Sequence, residues 1–368
     1  MNRQVSRRNL LKTVGAAALL NSATSGAAIP PMPAESRITP NICLGMDGRL
    51  SAGNSDETGM RRVKQLGVNH VVMGGPEIPW EAGQIRALVD HLKSGGLTLG
   101  NLMVSGFPNT IYGRPGRDAE IQKVQQSIEA AGAAGVPVVE YNFYAHRLVE
   151  GYYEELGRAG AGMTAFDYAR VKDLPPLPEE GAHTLEEIWN NITYFLKAVI
   201  PVAEKAGVRL ALHPNDPPAP FSRGSQQIMG DLKGWKHLIE IVPSKSNGIT
   251  FDCGVTRELG EDPVDVCRYF GSRDRINHVH YRNVRVVTPR EKYAEVFLDE
   301  GQVDMFAVMK ELIRQGYPRL IYPEHPRRLD ADREIAAPTP YYPGGGTYVG
   351  YVYNVGYTRA MLQAAMDS

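Results

Sequence analysis

Arg209-Leu-Ala-Leu-His213 is a short, nearly all-apolar run that ends on a metal-binding side chain, and three later stretches repeat its design. Gly248-Ile-Thr-Phe-Asp-Cys253, Ile276-Asn-His-Val-His280 and Arg319-Leu-Ile-Tyr-Pro-Glu324 each read as a buried strand closing on Cys, His or Glu. Short apolar runs of this kind mark strands covered on both faces, as in parallel α/β sheets. In those folds the functional groups gather at the carboxyl ends of the strands. His213, Cys253, His280 and Glu324, one per strand, therefore describe a metal site.

Upstream the same alternation continues. Ile38–Met46, Val68–Gly74, Leu97–Val104 and Val136–Phe143 read as four earlier strands, and the later four extend over 209–213, 248–253, 276–283 and 319–325. Between them lie amphipathic helical patterns. Ala119–Ala134 carries Ile121, Val124, Ile128 and Ala131 on one face, and Leu185–Ala206 carries Ile188, Ile192, Phe195, Leu196, Val199 and Val202. Met305–Gln315 repeats the spacing with Met305, Val308, Met309 and Leu312. Glycine punctuates the helix ends at Gly207 and Gly316. Eight strand–helix units predict a (β/α)₈ barrel of the TIM type over 38–368. A doubly wound open sheet is the competitor, but no glycine-rich phosphate turn follows the first strand. Long irregular stretches follow strand four (Tyr144–Ala182) and strand eight (Pro326–Gly346) and are expected to be loops, the first a lid or rim loop above the site.

The chain of 368 residues is 43% hydrophobic with a formal charge of −1, enough to bury one large α/β core. Near-neutral charge without a basic run argues against nucleic acid as a partner. No apolar stretch reaches the roughly 20 residues of a membrane span. Three cysteines are too few for a disulfide scaffold. The oligomeric state is left open, a homo-oligomer included.

Ser6-Arg7-Arg8-Asn9-Leu10-Leu11-Lys12 matches the twin-arginine export pattern, followed by the mildly apolar Thr13–Leu20 and small residues at 25–28. Residues 1–28 are thus expected to be a signal peptide, 29–37 a Pro-rich linker, the export machinery a partner, and the periplasm or another exported compartment the destination.

A barrel makes strands five to eight consecutive neighbours, so the four metal-binding side chains converge on one mouth. Imidazole, thiolate and carboxylate suit a first-row divalent ion such as Mn, Fe, Co or Zn. Ligands scattered one per strand, rather than in close pairs, point to a catalytic metal. His325, next to Glu324, is suited to acid or base work. Arg282 could fork onto a substrate carboxylate, with Asn283 and Asn142 beside it at strand ends. Asp216 serves either an Asx-type turn or the site. His278 is either a core layer residue or a partner of His280. A metal, a His and an Arg together suit enolisation beside a carboxylate, which leads either to elimination or to isomerisation.

Ala211-Leu-His-Pro-Asn-Asp-Pro-Pro218, Phe251-Asp-Cys-Gly254, Val279-His-Tyr-Arg-Asn283 and Glu300-Gly-Gln-Val-Asp-Met305 resemble mannonate dehydratase signatures. Arg117-Asp-Ala-Glu120 with Val138-Val-Glu-Tyr-Asn-Phe143 adds to the resemblance, which runs from about residue 110 to the C-terminus. It implies a xylose-isomerase-like barrel with one Mn²⁺ or Fe²⁺ per chain and no organic cofactor. It further implies dehydration of D-mannonate, or a related sugar acid, to a 2-keto-3-deoxy acid. Carried over, it implies metal ligands at His213, Cys253, His280 and Glu324, acid/base work by His325, and a catalytic Tyr at Tyr348 or Tyr351. Two residues depart from the family's pattern: Glu324 stands for Asp, and Asn215 for Asp. A metal-dependent isomerase or epimerase, and a non-catalytic periplasmic carbohydrate-binding protein, are the alternatives.

Overall fold

The structure, a computed structural model, describes residues 39–48, 51–335 and 341–368. The expected export segment and linker lie outside them. Numbered along the chain, the strands are β1 (Asn41–Met46), β2 (His70–Gly74), β3 (Thr98–Val104), β4 (Val138–Tyr141), β5 (Tyr152–Leu156), β6 (Gly162–Asp167) and β7 (Arg209–Leu212). They continue as β8 (Phe221–Ser222), β9 (Ser225–Gln226), β10 (Asn247–Asp252), β11 (Ile276–His280), β12 (Asn283–Thr288), β13 (Lys292–Val296) and β14 (Leu320–Tyr322).

Eight of these close a parallel barrel in the order β1-β2-β3-β4-β7-β10-β11-β14, with β14 pairing back onto β1. They are the eight strands expected from the apolar runs, most of them shorter by one to four residues and β10 of the expected length but shifted by one. Every residue of β4, β10 and β11 is buried, as strands sandwiched between a barrel interior and a helical coat require.

Helices cover the outside for legible reasons. The Leu185–Ala206 helix starts in a capping box of Thr184 and Glu187 and stops at Gly207, whose φ of 68° suits glycine. Its buried stripe includes Phe195, whose ring lies 5.5 Å from Phe107, 5.6 Å from Tyr141 and 5.7 Å from Phe143. That aromatic cluster anchors the end of β4. The Tyr348–Met366 helix closes the chain, and Asn354 on it donates to the carbonyls of Pro323 (3.0 Å) and Glu324 (3.2 Å). It thereby fixes the backbone that presents Glu324.

The stretch 144–182 corrects one expectation. It is not an open loop: it supplies β5 and β6, which join β12 and β13 in a four-stranded antiparallel sheet ordered β12-β13-β6-β5. Phe166, Tyr152 and Tyr293 form its core on one side, and Met163, Ala165, Ala294 and Val296 on the other. The register places Lys292 opposite Asp167, and the pair closes at 2.8 Å. Two insertions, after β4 and after β11, thus make a roof that neither could form alone.

At the opposite end Asp274 ties three strands. Its carboxylate meets Arg209 at the start of β7 (2.8 Å), Arg319 just before β14 (2.6 Å) and Lys245 (3.2 Å). These hydrogen-bonded arginines hold its pKa well below the usual carboxylate range, against the effect of burial. A lowered folded-state pKa adds stability that is present above the unfolded value near 4 and is lost as pH falls below it. Asp274→Asn should therefore cost about 1 kcal/mol at pH 7, solvent screening included. In urea titrations the gap from the wild type should close between about pH 4 and pH 2; a gap that widens on acidification contradicts this role.

Candidate metal centre and active site

Four barrel strands bring their ends to one point. His213 follows β7, Asp252 ends β10, His280 ends β11, and Glu324 lies just past β14. One ligand atom from each lies within 4.8 Å of the others. His213 Nε2 is 3.1 Å from His280 Nδ1, which is 3.0 Å from Glu324 Oε1. Asp252 Oδ2 is 3.9 Å from each of those two ring nitrogens. The other nitrogen of His213 lies 2.7 Å from the Pro214 carbonyl and can only donate there, which leaves Nε2 as a free lone pair. Glu324 Oε1 is buried without a hydrogen bond. Two ligands about 2.1 Å from one ion and at right angles stand about 3 Å apart. Spacing, donor chemistry and the orphaned oxygen fit a first-row divalent cation.

The local field favours a cation. Burial and the neighbouring His280 push His213 down to about 4, which keeps it neutral. Burial also opposes charge on His280, but Glu324, Glu140 and Asp252 outweigh it and push its pKa up to about 9. Glu140, on β4, accepts from Asn101 (2.8 Å) and Thr250 (2.8 Å), and sits 3.5 Å from His280 Nε2. Burial raises the pKa of Asp252, and that of Glu258 well above its ordinary value, despite the nearby Arg282. Acid groups outnumber the cations that could neutralise them.

A recess of about 390 Å³ opens above this cluster, lined by Met103, Asn142, Arg147, His213, His280 and His325, with Tyr144, Asp216, Glu324 and Tyr342. Its neighbour toward β1–β3 shares several of these walls and adds the apolar Met46, Val72 and Met73. Arg147 donates to the Asp216 carbonyl (2.8 Å) and contacts the Tyr342 hydroxyl, with its guanidinium 4.9 Å over the Tyr342 ring. That ring lies 4.4 Å from the His325 ring. Burial raises the Tyr342 pKa, so its phenol keeps its proton.

His213, His280, Glu324, His325, Asn142 and Asp216 thus surround one recess, as their strand positions anticipate. Other expected residues stand elsewhere. Cys253 begins the helix after β10, with Sγ 3.2 Å from the His280 carbonyl and 3.5 Å from that of Arg282, and Asp252 takes its place among the clustered donors. Arg282 is 1% exposed and does not line the recess. It donates to Asp252 (2.9 Å) and Glu258 (2.7 Å), with Glu324 at 3.3 Å and Asp216 at 3.5 Å. Asn283 is spent on backbone: its amide donates to the carbonyls of Leu298 and Val303 and accepts from the N–H groups of Val284 and Val303. Tyr348 starts the last helix with its hydroxyl 3.3 Å from the Arg62 carbonyl, and Tyr351 pairs with Tyr322 at 2.6 Å. Arg147 and Tyr342, not anticipated, fill the places expected of Arg282 and Tyr348 at the recess. Only their position in the two long stretches after β4 and β14 could have signalled them. Asp216 lines the recess and accepts from the Tyr152 hydroxyl at 2.7 Å.

The family model for D-mannonate dehydratase (UxuA) matches residues 47–177 and 181–367. A mannonate dehydratase from Streptococcus suis (strain 05ZYH33) is 28% identical over 350 residues, covering 85% of this chain and 93% of that protein. The crystal structure of mannonate dehydratase from Streptococcus suis serotype 2 aligns with a TM-score of 0.77 at 26% identity, over 89% of this chain and 95% of that one. A xylose isomerase domain protein from Alicyclobacillus acidocaldarius shares the fold, with a TM-score of 0.56 at 15% identity over 90% of this chain and 100% of its own.

The ion pairs of Arg282 tie the strand ends to one another. Removing one partner from a buried ionic network strands the others. Arg282→Met should therefore cost about 3–5 kcal/mol in chemical denaturation. A variant of wild-type stability that has lost only substrate affinity would return Arg282 to the clamp role.

Proposed function

The chain belongs to the D-mannonate dehydratase family, and from that premise we propose that it is a metal-dependent hydro-lyase. It would remove water from D-mannonate or a closely related sugar acid to give a 2-keto-3-deoxy acid. The observation that carries this reading is the convergence of His213, His280, Glu324 and Asp252 beneath a recess walled by His325, Tyr342 and Arg147.

His213, His280 and Glu324 would hold the ion, with Asp252 or Cys253 as the fourth ligand. Asp252 already sits among the donors, whereas Cys253 would have to turn its thiol away from two carbonyls and lose its proton. Mn²⁺ or Fe²⁺ suits this mixed imidazole and carboxylate set. Bound there, the ion would supply positive charge beside the substrate carboxylate and the oxygen that becomes the enolate. Arg147 and Asn142 would orient the acid and its hydroxyls from the β4 side. His325 would accept the proton from the carbon next to the carboxylate. Tyr342, kept protonated by burial, would donate its proton to the departing hydroxyl, which leaves as water. The resulting enol would rearrange to the ketone.

Incubated with D-mannonate and Mn²⁺, or with Fe²⁺ under anaerobic conditions, the protein should form a product that reacts with thiobarbiturate after periodate. His325→Gln and Tyr342→Phe should each lower kcat by about 10²–10⁴-fold, while Tyr348→Phe stays near wild type. Elemental analysis should find about one divalent ion per chain, lost in His213→Ala, and the larger loss between Asp252→Asn and Cys253→Ser names the fourth ligand. A ketose or epimer as product would assign an isomerase or epimerase instead. Binding without turnover across a panel of aldonates and ketoses would leave a carbohydrate-binding protein.

The order of twin arginines, apolar stretch and small residues at the N-terminus supports export of the folded, metal-loaded chain. The full chain should then fractionate to the periplasm, and Arg7→Lys with Arg8→Lys should retain it in the cytoplasm. Equal cytoplasmic retention of both forms would overturn the export reading.

A further inference from the structure

The roof sheet meets His325 through Glu295. β13 places Glu295, 1% exposed, beside His325, with Oε1 3.1 Å from His325 Nδ1. Its other oxygen accepts from Arg327 Nη2 at 2.7 Å. Arg327, also 1% exposed, donates in addition to the Glu295 carbonyl (3.1 Å) and to the His325 carbonyl through Nε (3.1 Å) and Nη2 (2.6 Å). Both the ring and the backbone of His325 are therefore strapped to β13. The backbone needs it: His325 has a φ of 47°, in the left-handed region that non-glycine residues occupy only at a cost.

We propose that Glu295 is a positioning residue that fixes the proton of His325 on Nδ1 and keeps Nε2 as the free lone pair turned to the recess. This rests on the reading of His325 as the group that accepts the substrate proton. A carboxylate paired with a buried guanidinium is ionised and can only accept hydrogen bonds. The ring nitrogen facing it must then be the one that carries hydrogen. Nε2, 3.5 Å from Glu324 Oε2, lies on the side of the clustered metal-binding donors. Arg327 has two effects: it keeps Glu295 charged, and it holds His325 in a conformation that its own backbone disfavours. The insertion between β11 and the Met305–Arg314 helix, which the barrel itself does not require, thereby sets the tautomer of the proton acceptor.

The tautomer can be read directly. Protein carrying ¹⁵N-labelled histidine and loaded with diamagnetic Zn²⁺ is compared with its His325→Gln variant to assign the His325 ring. In the wild type, hydrogen on Nδ1 is expected; hydrogen on Nε2 overturns the proposal whether or not the protein dehydrates mannonate. In Glu295→Gln the amide can present either its oxygen or its NH₂ group to Nδ1. Both tautomers should then appear, and kcat should fall about 100-fold or more with KM within about threefold. Glu295→Asp, which keeps an acceptor-only group, should restore the Nδ1–H signal and part of kcat. An unchanged tautomer in Glu295→Gln, whatever the activity, overturns the proposal. Should that variant fail to fold, the wild-type spectrum still decides it.

Discussion

One buried guanidinium holds the mouth of this barrel together. Arg282 leaves the end of β11 and reaches carboxylates from four other parts of the fold: Asp252 on β10, Glu258 in the helix after it, Asp216 in the loop after β7, and Glu324 beyond β14. Each of these acids would be prohibitively costly alone in the interior. Around one planar cation with several donors they become affordable together, and the strand ends are fixed relative to one another. The arrangement still leaves more acids than cations at the mouth: against the effect of burial, Glu324, Glu140 and Asp252 push the His280 pKa up. A divalent ion where the donors converge would stabilise a scaffold in that state.

The mouth is divided in two. On the β4, β7, β10, β11 and β14 side it presents charge, imidazole and phenol; toward β1–β3 it presents Met46, Val72, Met73 and Met103. The polar half is assembled from barrel strand ends and from insertions that only make sense together. β5 and β6 need β12 and β13 to complete a sheet, and that sheet brings Tyr152 and Tyr293 to Asp216 and Glu295 to His325. The chain past β14 supplies Tyr342, and Asp332, in the short helix Asp330–Ile335, caps the last helix by accepting from the N–H groups of Thr347 and Val349. Reactive groups and their supports thus come from the same inserted segments.

Much of this was legible in the chain because the governing rules are local. Apolar runs such as 209–212 and 276–280 specify strands covered on both faces, and the Thr184/Glu187 box with Gly207 bounds a helix at both ends. Barrel topology then puts the ends of successive strands side by side, so His213, His280, Glu324 and His325 could be grouped without coordinates. The roles assigned to Cys253, Arg282, Asn283 and Tyr348 depended instead on where a side chain turns once its backbone is placed. Asp252 ends β10 and Cys253 begins the helix after it, and the sequence pattern does not choose which of the two turns toward the clustered donors.

By itself, then, the sequence determined the barrel, the order of its strands and the residue types at its mouth, since these follow from periodicity and chain connectivity. Tertiary structure decided which of those residues face the recess. It consumed Arg282 and Asn283 in holding the fold, and it brought forward Arg147 and Tyr342 from segments without regular periodicity. The reason is physical. A buried charge must find its partners wherever the fold supplies them, and that competition is settled among groups far apart in the chain.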